Sequence, residues 1–469
     1  MCLLVTLTLT NCFEDRDDSP AETKSINDFV WKTMNLVYLY KNNVPDLADD
    51  KFSSNEAYSN YLAGYPTPET LFESLIYQPE TVDRFSIIVN DYIALEQRFK
   101  GVFKTNGMEF SLYTAPNSTS DLVGVVLLVL NGSDAEAKGV KRGDLFGQVD
   151  GVSITKTNAS ELFAQDSYTI NLSTYNDNGT SETTDDTIVP NGTNIALHKI
   201  EFTENPIYIT KVFQVGGQQV GYIMYNGFTS GSENDLNAVF ANFKSLNVNQ
   251  LILDLRYNPG GSVATTTYLA SMITGQFTGQ VFETLIYNEN LQQFNQDYLF
   301  SNTVNGNALN SLGLSKIYVL TTNRSASASE GLINGLSPYI NVIQIGTETT
   351  GKTQASRTFY DSPDLSRQGA NPAHTYALQP LIANGVNKNM KTVPSTGLPP
   401  SNGYEYKETP LNLGILGNAN EPLLALALAD IQNTTGKSHT IKNKKPFLQH
   451  KVMDSNDFLP FEKGGMIAD

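Results

Sequence analysis

Between residues 220 and 345 short apolar runs alternate with helical patterns, and that alternation leaves few folds open. Residues 220–225 (Val-Gly-Tyr-Ile-Met-Tyr), 251–255 (Leu-Ile-Leu-Asp-Leu), 317–320 and 342–345 read as strands. Between them, Leu236, Val239, Phe240 and Phe243 share one face of a helix that Ser232 can cap. Residues 262–273 read as a second helix and 329–336 as a third. Such alternation builds βαβ units and demands a largely parallel sheet. Active sites in these sheets lie at the carboxyl ends of the strands.

The turn after 317–320 carries the chemistry. It reads Arg324-Ser325-Ala326-Ser327-Ala328-Ser329-Glu330, with Ser327 just before a helix. Lys352 follows in Thr350-Gly351-Lys352. A serine hydroxyl is inert until a base takes its proton, and a histidine or a desolvated lysine can do so. The chain has four histidines, none near this run. The pair therefore points to a Ser/Lys hydrolase. Lys352 follows a buried strand and a glycine turn, where loss of hydration would favour the neutral amine.

A second signal is Asp254-Leu255-Arg256-Tyr257-Asn258-Pro259-Gly260-Gly261, a strand that ends in glycines before a helix. Glycines permit a sharp turn, and amides exposed at a helix start can stabilise an oxyanion. Ser153-Ile154-Thr155-Lys156 matches the S-x-x-K pattern of penicillin-recognising enzymes but lacks the partner motifs. His198 or His374 could serve a Ser-His-Asp triad, yet no motif supports either.

The remainder divides by pattern. Ile26, Phe29, Val30, Thr33, Met34 and Val37 follow helical spacing. Thr67-Pro68 is a helix start, with Leu71, Phe72, Leu75 and Ile76 as its apolar face. Val82, Phe85, Ile88, Val89 and Ile93 suggest a further helix. Residues 26–112 thus read as a helical N-terminal domain. Residues 113–200 read as β-rich: a strand at 123–130, a short helix at 135–140, a strand at 145–149 and a tight turn at Asp150-Gly151. Within them, 172–193 reads as an Asn/Thr-rich loop. Residues 433–469, with Lys442, Lys444 and Lys445, read as a tail or a strap along the surface.

The 469 residues suffice for two to four domains, and 40% hydrophobic content suffices for a core. The net charge of −17 argues against nucleic acid or an anionic membrane surface as partner. Cys2 and Cys12 are the chain's two cysteines, so the body holds neither a disulfide nor a Cys/His metal cluster. Residues 1–12 resemble a signal peptide, and Leu9-Thr10-Asn11-Cys12 resembles a bacterial lipobox that would attach lipid to Cys12. An acidic tether at 13–25 follows. The expected location is the cell envelope, on the periplasmic or outer-membrane face, with membrane contact only through that lipid.

The joint pattern resembles the C-terminal processing (tail-specific) peptidases, the S41 serine peptidases. "DLRYNPGG", "SASASEG" and "TTGK" stand in that family's order, after a "GSDAEAKGVKRGDLFGQVDG" stretch that resembles a PDZ domain. The helical N-terminal region and the closing "GNANEPLLALALADI" look like lipoprotein members of Bacteroidetes-type bacteria. The resemblance implies a multi-domain α/β protein: a helical domain, a PDZ-like domain over 113–200, and a catalytic domain over 201–432 with a ClpP/crotonase-like core. It implies Ser327 as nucleophile and Lys352 as general base. Gln354 or Ser356 would hydrogen-bond the ammonium, and the amides of Gly260 or Gly261 and of Ala328 would form the oxyanion hole. No metal or organic cofactor is implied. The partners would be polypeptides with free C-termini, recognised by strand addition on the PDZ-like domain. The alternatives are a non-catalytic peptide-binding scaffold on the same fold and an esterase-like hydrolase of small substrates.

Overall fold

A computed structural model describes residues 23–180, 182, 184–432, 450–458 and 466–468. Cys2, Cys12 and the lipobox, most of the acidic tether, and Lys442, Lys444 and Lys445 lie outside the described residues. The chain forms two units. The first ends at Ile93 and takes in Thr358–Pro380; the second comprises Ala94–Arg357 and the residues from Leu381 onward.

In the first unit the helix Thr23–Val37 buries Ile26, Phe29, Val30, Met34 and Val37, the positions that the helical spacing marks. The helix Pro68–Ser74 starts where Thr67 Oγ1 accepts the Thr70 amide at 3.2 Å. The helix expected over 82–93 does not form. Buried Asp83 instead accepts the Phe85 and Ser86 amides at 3.1 and 2.9 Å and the Tyr38 hydroxyl at 2.7 Å. That turn competes with the helix, as Asp side chains do. The strand Ile87–Val89 follows, antiparallel to Ala377–Gln379, and a helix begins only at Tyr92–Phe99.

Among the described residues the second unit has three larger sheets and two two-stranded ones. Its central sheet runs Ile207–Val215, Gln218–Tyr225, Gln250–Asp254, Lys316–Thr321, Asn341–Gly346, with the last four strands parallel. Alternate side chains enter two cores. Ile223, Tyr225, Leu251 and Leu253 pack with the helices Glu233–Ser245, Val263–Thr274 and Ala328–Leu336. Tyr222, Met224, Ile252 and Tyr318 pack with the helix Pro422–Ile431. Ser232 precedes its helix but makes no cap: its hydroxyl donates to the Thr229 carbonyl at 2.7 Å and pairs with the Tyr225 hydroxyl at 2.8 Å.

A second sheet runs Gln296–Leu299, Val281–Tyr287, Leu381–Asn387, Gln354–Ser356, Met466–Ile467. The third runs Lys451–Asp454, Met108–Thr114, Leu122–Val129, Leu145–Val149, Ser167–Asn176, Thr187–His198 around Phe110, Phe146, Phe163 and Ile170. Much of 172–193 is strand rather than loop: Ser167–Asn176 and Thr187–His198 pair as a long antiparallel hairpin. Asn and Thr at its exposed positions disguise the period-two pattern.

One carboxyl in the second sheet sets a pH dependence. Glu283 on Val281–Tyr287 is buried, its Oε2 has no hydrogen-bond partner among the described residues, and burial pushes its pKa up to about 8 from 4.5. The folded chain then holds this proton more tightly than the unfolded chain. Stability from this group is fully present below pH ~4.5 and is lost as pH rises toward ~8. Glu283→Gln should therefore match the parent in urea titrations near pH 4.5 and exceed it by about 1–3 kcal/mol at pH 8. A difference that does not grow with pH would contradict a buried neutral carboxyl here.

Candidate active site

Two neighbouring parallel strands, Gln250–Asp254 and Lys316–Thr321, deliver their following loops to one place. The loops are sewn together. Ser325 Oγ donates to the Leu255 carbonyl at 2.7 Å, the Ala326 amide to the Asn258 carbonyl at 3.1 Å, and Ser329 Oγ to the same carbonyl at 3.0 Å. Asn258 is itself fixed by donating to the Tyr225 carbonyl at 2.9 Å.

Ser327 stands at the entrance of the helix Ala328–Leu336 with φ 60° and ψ −111°. A non-glycine residue in that region costs on the order of 1–3 kcal/mol and persists only where its surroundings over-determine it. The strand–turn–helix elbow does so here. Ser327 is fully buried, and its Oγ has no hydrogen-bond partner among the described residues. An orphaned buried hydroxyl costs about 1–3 kcal/mol. Strain and an unmet hydroxyl on the same residue mark it as held for a task rather than for stability.

Glu330, one helical turn later, ties this residue to Lys352. Its Oε2 accepts the Ser327 amide at 2.8 Å and the Lys352 amide at 2.9 Å. Its Oε1 accepts the Thr349 hydroxyl at 2.5 Å and the Gly351 amide at 2.7 Å. Burial raises the Glu330 pKa, and these donors oppose the rise. Lys352 itself is 1% exposed. One carboxylate oxygen thus holds the backbones of both sequence-predicted residues, within two hydrogen-bond lengths of each other. Glu330 stands in the Ser325–Glu330 run of the sequence, but no role follows for it from that run alone. The signal was present as Ser-x-x-Glu, the spacing at which an N3 carboxylate reaches back to the N-cap amide.

The glycines are required by contact. Gly260 has φ 111°, and a Cβ there would lie 2.8 Å from Ser327 Cβ and 3.0 Å from the Ala328 nitrogen. Gly261 has φ 135°, and a Cβ would strike the Phe228 carbonyl oxygen at 2.3 Å. The three candidate oxyanion donors differ. The Gly260 amide already donates to Asn258 Oδ1 at 2.8 Å. Among the described residues the amides of Gly261 and Ala328 make no hydrogen bond, and Ala328 sits at a helix N-terminus.

Gln354 and Ser356 lie on the short strand that follows Lys352, with Ser356 buried and Gln354 partly buried. The pairing of this strand with Leu381–Asn387 shifts register between Ala355 and Ser356. The two candidate histidines, His198 and His374, are engaged elsewhere. His374, in the first unit, meets Asp361 at 3.0 Å, and exposed His198 meets Ser167 at 2.8 Å. Cys12 lies outside the described residues.

Beneath the loops lies a buried charge cluster. Arg256 is wholly buried and donates to Asp254, Glu408 and Glu421 at 2.8, 2.9 and 2.6 Å. Arg142, from the turn after Asp134–Ala137, donates to Glu408, the Tyr257 hydroxyl and the Leu413 carbonyl. Burial works against ionising Glu408, but Arg142 and Arg256 outweigh it and lower its pKa. Arg324, three residues before Ser327, donates to Glu109 at 3.0 Å and also to Asp454.

Residues 219–369 match the domain described as Peptidase family S41, and 25–87 match the Peptidase S41 N-terminal domain. A carboxyl-terminal-processing protease of Picosynechococcus sp. is 28% identical over 54% of this chain and 55% of its own length. Carboxyl-terminal-processing peptidase 3 (chloroplastic) of Arabidopsis thaliana is 27% identical over 49% of this chain and 42% of its own. The matches thus span about half the length of these relatives. A crystal structure from Bacteroides fragilis, assigned as an S41 protease, superposes with a TM-score of 0.68 at 26% identity, covering 87% of this chain and 97% of that one. Matched to S41 domains at both its N-terminal region and its central sheet, the chain is similar in fold to an S41 protease across most of its length.

Proposed function

We propose that this protein is a serine endopeptidase of unfolded polypeptides, with Ser327 as nucleophile and Lys352 as general base. The observation that carries the reading is the buried, unpartnered Ser327 hydroxyl at a strained helix entry, tied through Glu330 to the backbone of Lys352. In this reading the neutral Lys352 amine takes the Ser327 proton as Oγ attacks the scissile carbonyl carbon. The carbonyl electron pair moves to oxygen, which the Gly261 and Ala328 amides receive. Collapse of the intermediate breaks the C–N bond, and the leaving amine takes the proton from Lys352. Water then repeats the sequence on the acyl-enzyme and frees the new carboxylate. Gln354 or Ser356 would orient the Lys352 ammonium. A cleft of about 770 Å³, lined by Ser111, Tyr113, Arg324 and Thr349, lies beside the turn that carries Ser327.

Recognition of free C-termini belongs to the same proposal and is supported by the carboxyl-terminal-processing names of the relatives. A strand added antiparallel to Met108–Thr114 would carry its end toward Asn106 and Gly107. There the Gly107 amide donates to Thr105 Oγ1 at 2.9 Å and the Met108 amide to Asn106 Oδ1 at 3.1 Å. A terminal carboxylate must displace these side chains to gain the amides.

Ser327→Ala should leave the fold intact and reduce cleavage of an unfolded protein by roughly 10³-fold or more. Lys352→Ala should do the same, while His198→Ala and His374→Ala should leave the rate unchanged. Full activity in Ser327→Ala would overturn the nucleophile assignment, and absence of cleavage by the parent would support the non-catalytic scaffold. Glu330→Gln keeps the shape but weakens four bonds that position both residues. Its kcat should fall on the order of 10²-fold with little change in KM, as for a misplaced catalytic group; a pure KM effect would argue against a positioning role. Finally, an unfolded substrate with a free apolar C-terminus should be cut faster than the same chain carrying a terminal amide. Equal rates would rule out reading of the carboxylate.

A further inference from the structure

The edge strand Met108–Thr114 has a partner on its open side that comes from the far end of the chain. Lys451–Asp454 pairs with it antiparallel, setting Lys451 against Tyr113, Met453 against Leu112 and Asp454 against Ser111. The pairing is anchored at each step. The Thr114 amide donates to the His450 carbonyl at 3.0 Å, Ser111 Oγ to Asp454 at 3.1 Å, and the Phe110 amide to Ser455 Oγ at 3.2 Å. Beyond it, half-buried Phe458 inserts among the aromatic rings of this sheet's core. Its ring centroid lies 5.0 Å from that of Phe163 and 6.2 Å from that of Phe110.

A second stretch of the same region lies at the active site. Ile467 donates its amide to the Gly261 carbonyl at 3.0 Å, and Ala468 donates to the Ser356 carbonyl at 3.0 Å. Met466–Ile467 is thereby a strand parallel to Gln354–Ser356, wedged between it and Gly261-Ser262. Ser327 is fully buried in this arrangement.

We propose that Lys451–Phe458 and Met466–Ala468 are an internal ligand, holding the two strand edges that an incoming extended polypeptide would use. The inference rests on the peptidase reading for its word "substrate", but the occupancy itself does not. Three features define what fits the outer edge. Backbone pairing admits any extended chain. The aromatic slot filled by Phe458 selects a large apolar side chain. Arg324, held between Glu109 on the edge strand and Asp454, selects an acidic residue four positions before that anchor. Because Arg324 also belongs to the Ser327 turn, exchange of one strand for another at this edge is felt three residues from the nucleophile.

The segment competes as a tethered ligand, so its effective concentration is on the order of millimolar, and a free peptide of similar intrinsic affinity is weakened by about tenfold or more. The test uses the full chain in a Ser327→Ala background, so that nothing is cut. A fluorescein-labelled peptide with the sequence of residues 450–458 is titrated by anisotropy. Phe458→Asp in the protein places a charge in the aromatic slot and should lower the peptide's Kd by about tenfold or more relative to the parent. Phe458→Ala, which buries no charge, serves if the aspartate variant does not fold. Equal Kd values in parent and variant, or binding to neither, would overturn the inference. With Ser327 intact, the same variant should show a lower KM for an unfolded protein, and an unchanged KM would overturn its link to substrate. If the Ser327-intact protein cuts nothing, the peptidase reading fails, while the anisotropy result still decides occupancy of the edge.

Discussion

The active region depends on one buried carboxylate. Ser327 is strained, its hydroxyl is unmet, and Lys352 arrives from a different loop; none of these is a state that a chain adopts unaided. Glu330 resolves the problem with two oxygens. One fixes the amide of the residue it helps to strain and the amide of Lys352; the other fixes Thr349 and Gly351 on the approach to Lys352. Four donors in a dry site make such a carboxylate strong in both directions: well satisfied it rigidifies, and with one donor lost it leaves a costly orphan. That is why a helix-start carboxylate, elsewhere worth little more than a cap, becomes the hinge of the whole site.

The loops that Glu330 braces need a floor, and the floor is ionic. Arg256, Arg142, Asp254, Glu408 and Glu421 meet with little or no solvent, linking the central sheet, the helix Pro422–Ile431 and the third sheet. Burying this much charge does not by itself stabilise, because desolvation rivals the Coulombic gain. Its effect is on geometry. An apolar core of the same volume would tolerate rotation of the loop after Gln250–Asp254, whereas a guanidinium bound by three carboxylates does not. Asn258 and Gly260 are therefore delivered to Ser327 at fixed positions. The cost of a Cβ at Gly260, a 2.8 Å clash with Ser327, reflects how little slack remains.

Much of this was legible in the sequence. Strands at 220–225, 251–255, 317–320 and 342–345 are apolar over both faces, and burial on both faces is what a central parallel sheet demands. The position of Ser327 was legible too, as a small-residue run between such a strand and a helix. What escaped notice was set by tertiary pairing. Residues 82–93 carry helical spacing, yet Asp83 turns the backbone toward a strand partner nearly 300 positions away, which no local pattern records. The hairpin Ser167–Asn176 with Thr187–His198 was hidden because Asn and Thr fill many of its exposed positions. Residues 26–112 read as one domain, but the chain divides at Ile93, and Met108–Thr114 pairs with the third sheet.

The late segment of the chain follows from the same physics of edges. Met108–Thr114 and Gln354–Ser356 would each present a row of unmet amides and carbonyls if left bare, and bare edges recruit whatever strand is near. A protein that must keep such edges available for an extended chain cannot bury them for good. Covering them with a tethered strand solves both demands, because exchanging one backbone for another conserves hydrogen bonds and leaves the outcome to side-chain anchors and concentration. The anchors are few here: Phe458 among the aromatic rings, and Asp454 on Arg324. A cover that meets its edges through exchangeable backbone hydrogen bonds can yield to a chain that offers the same two side-chain groups.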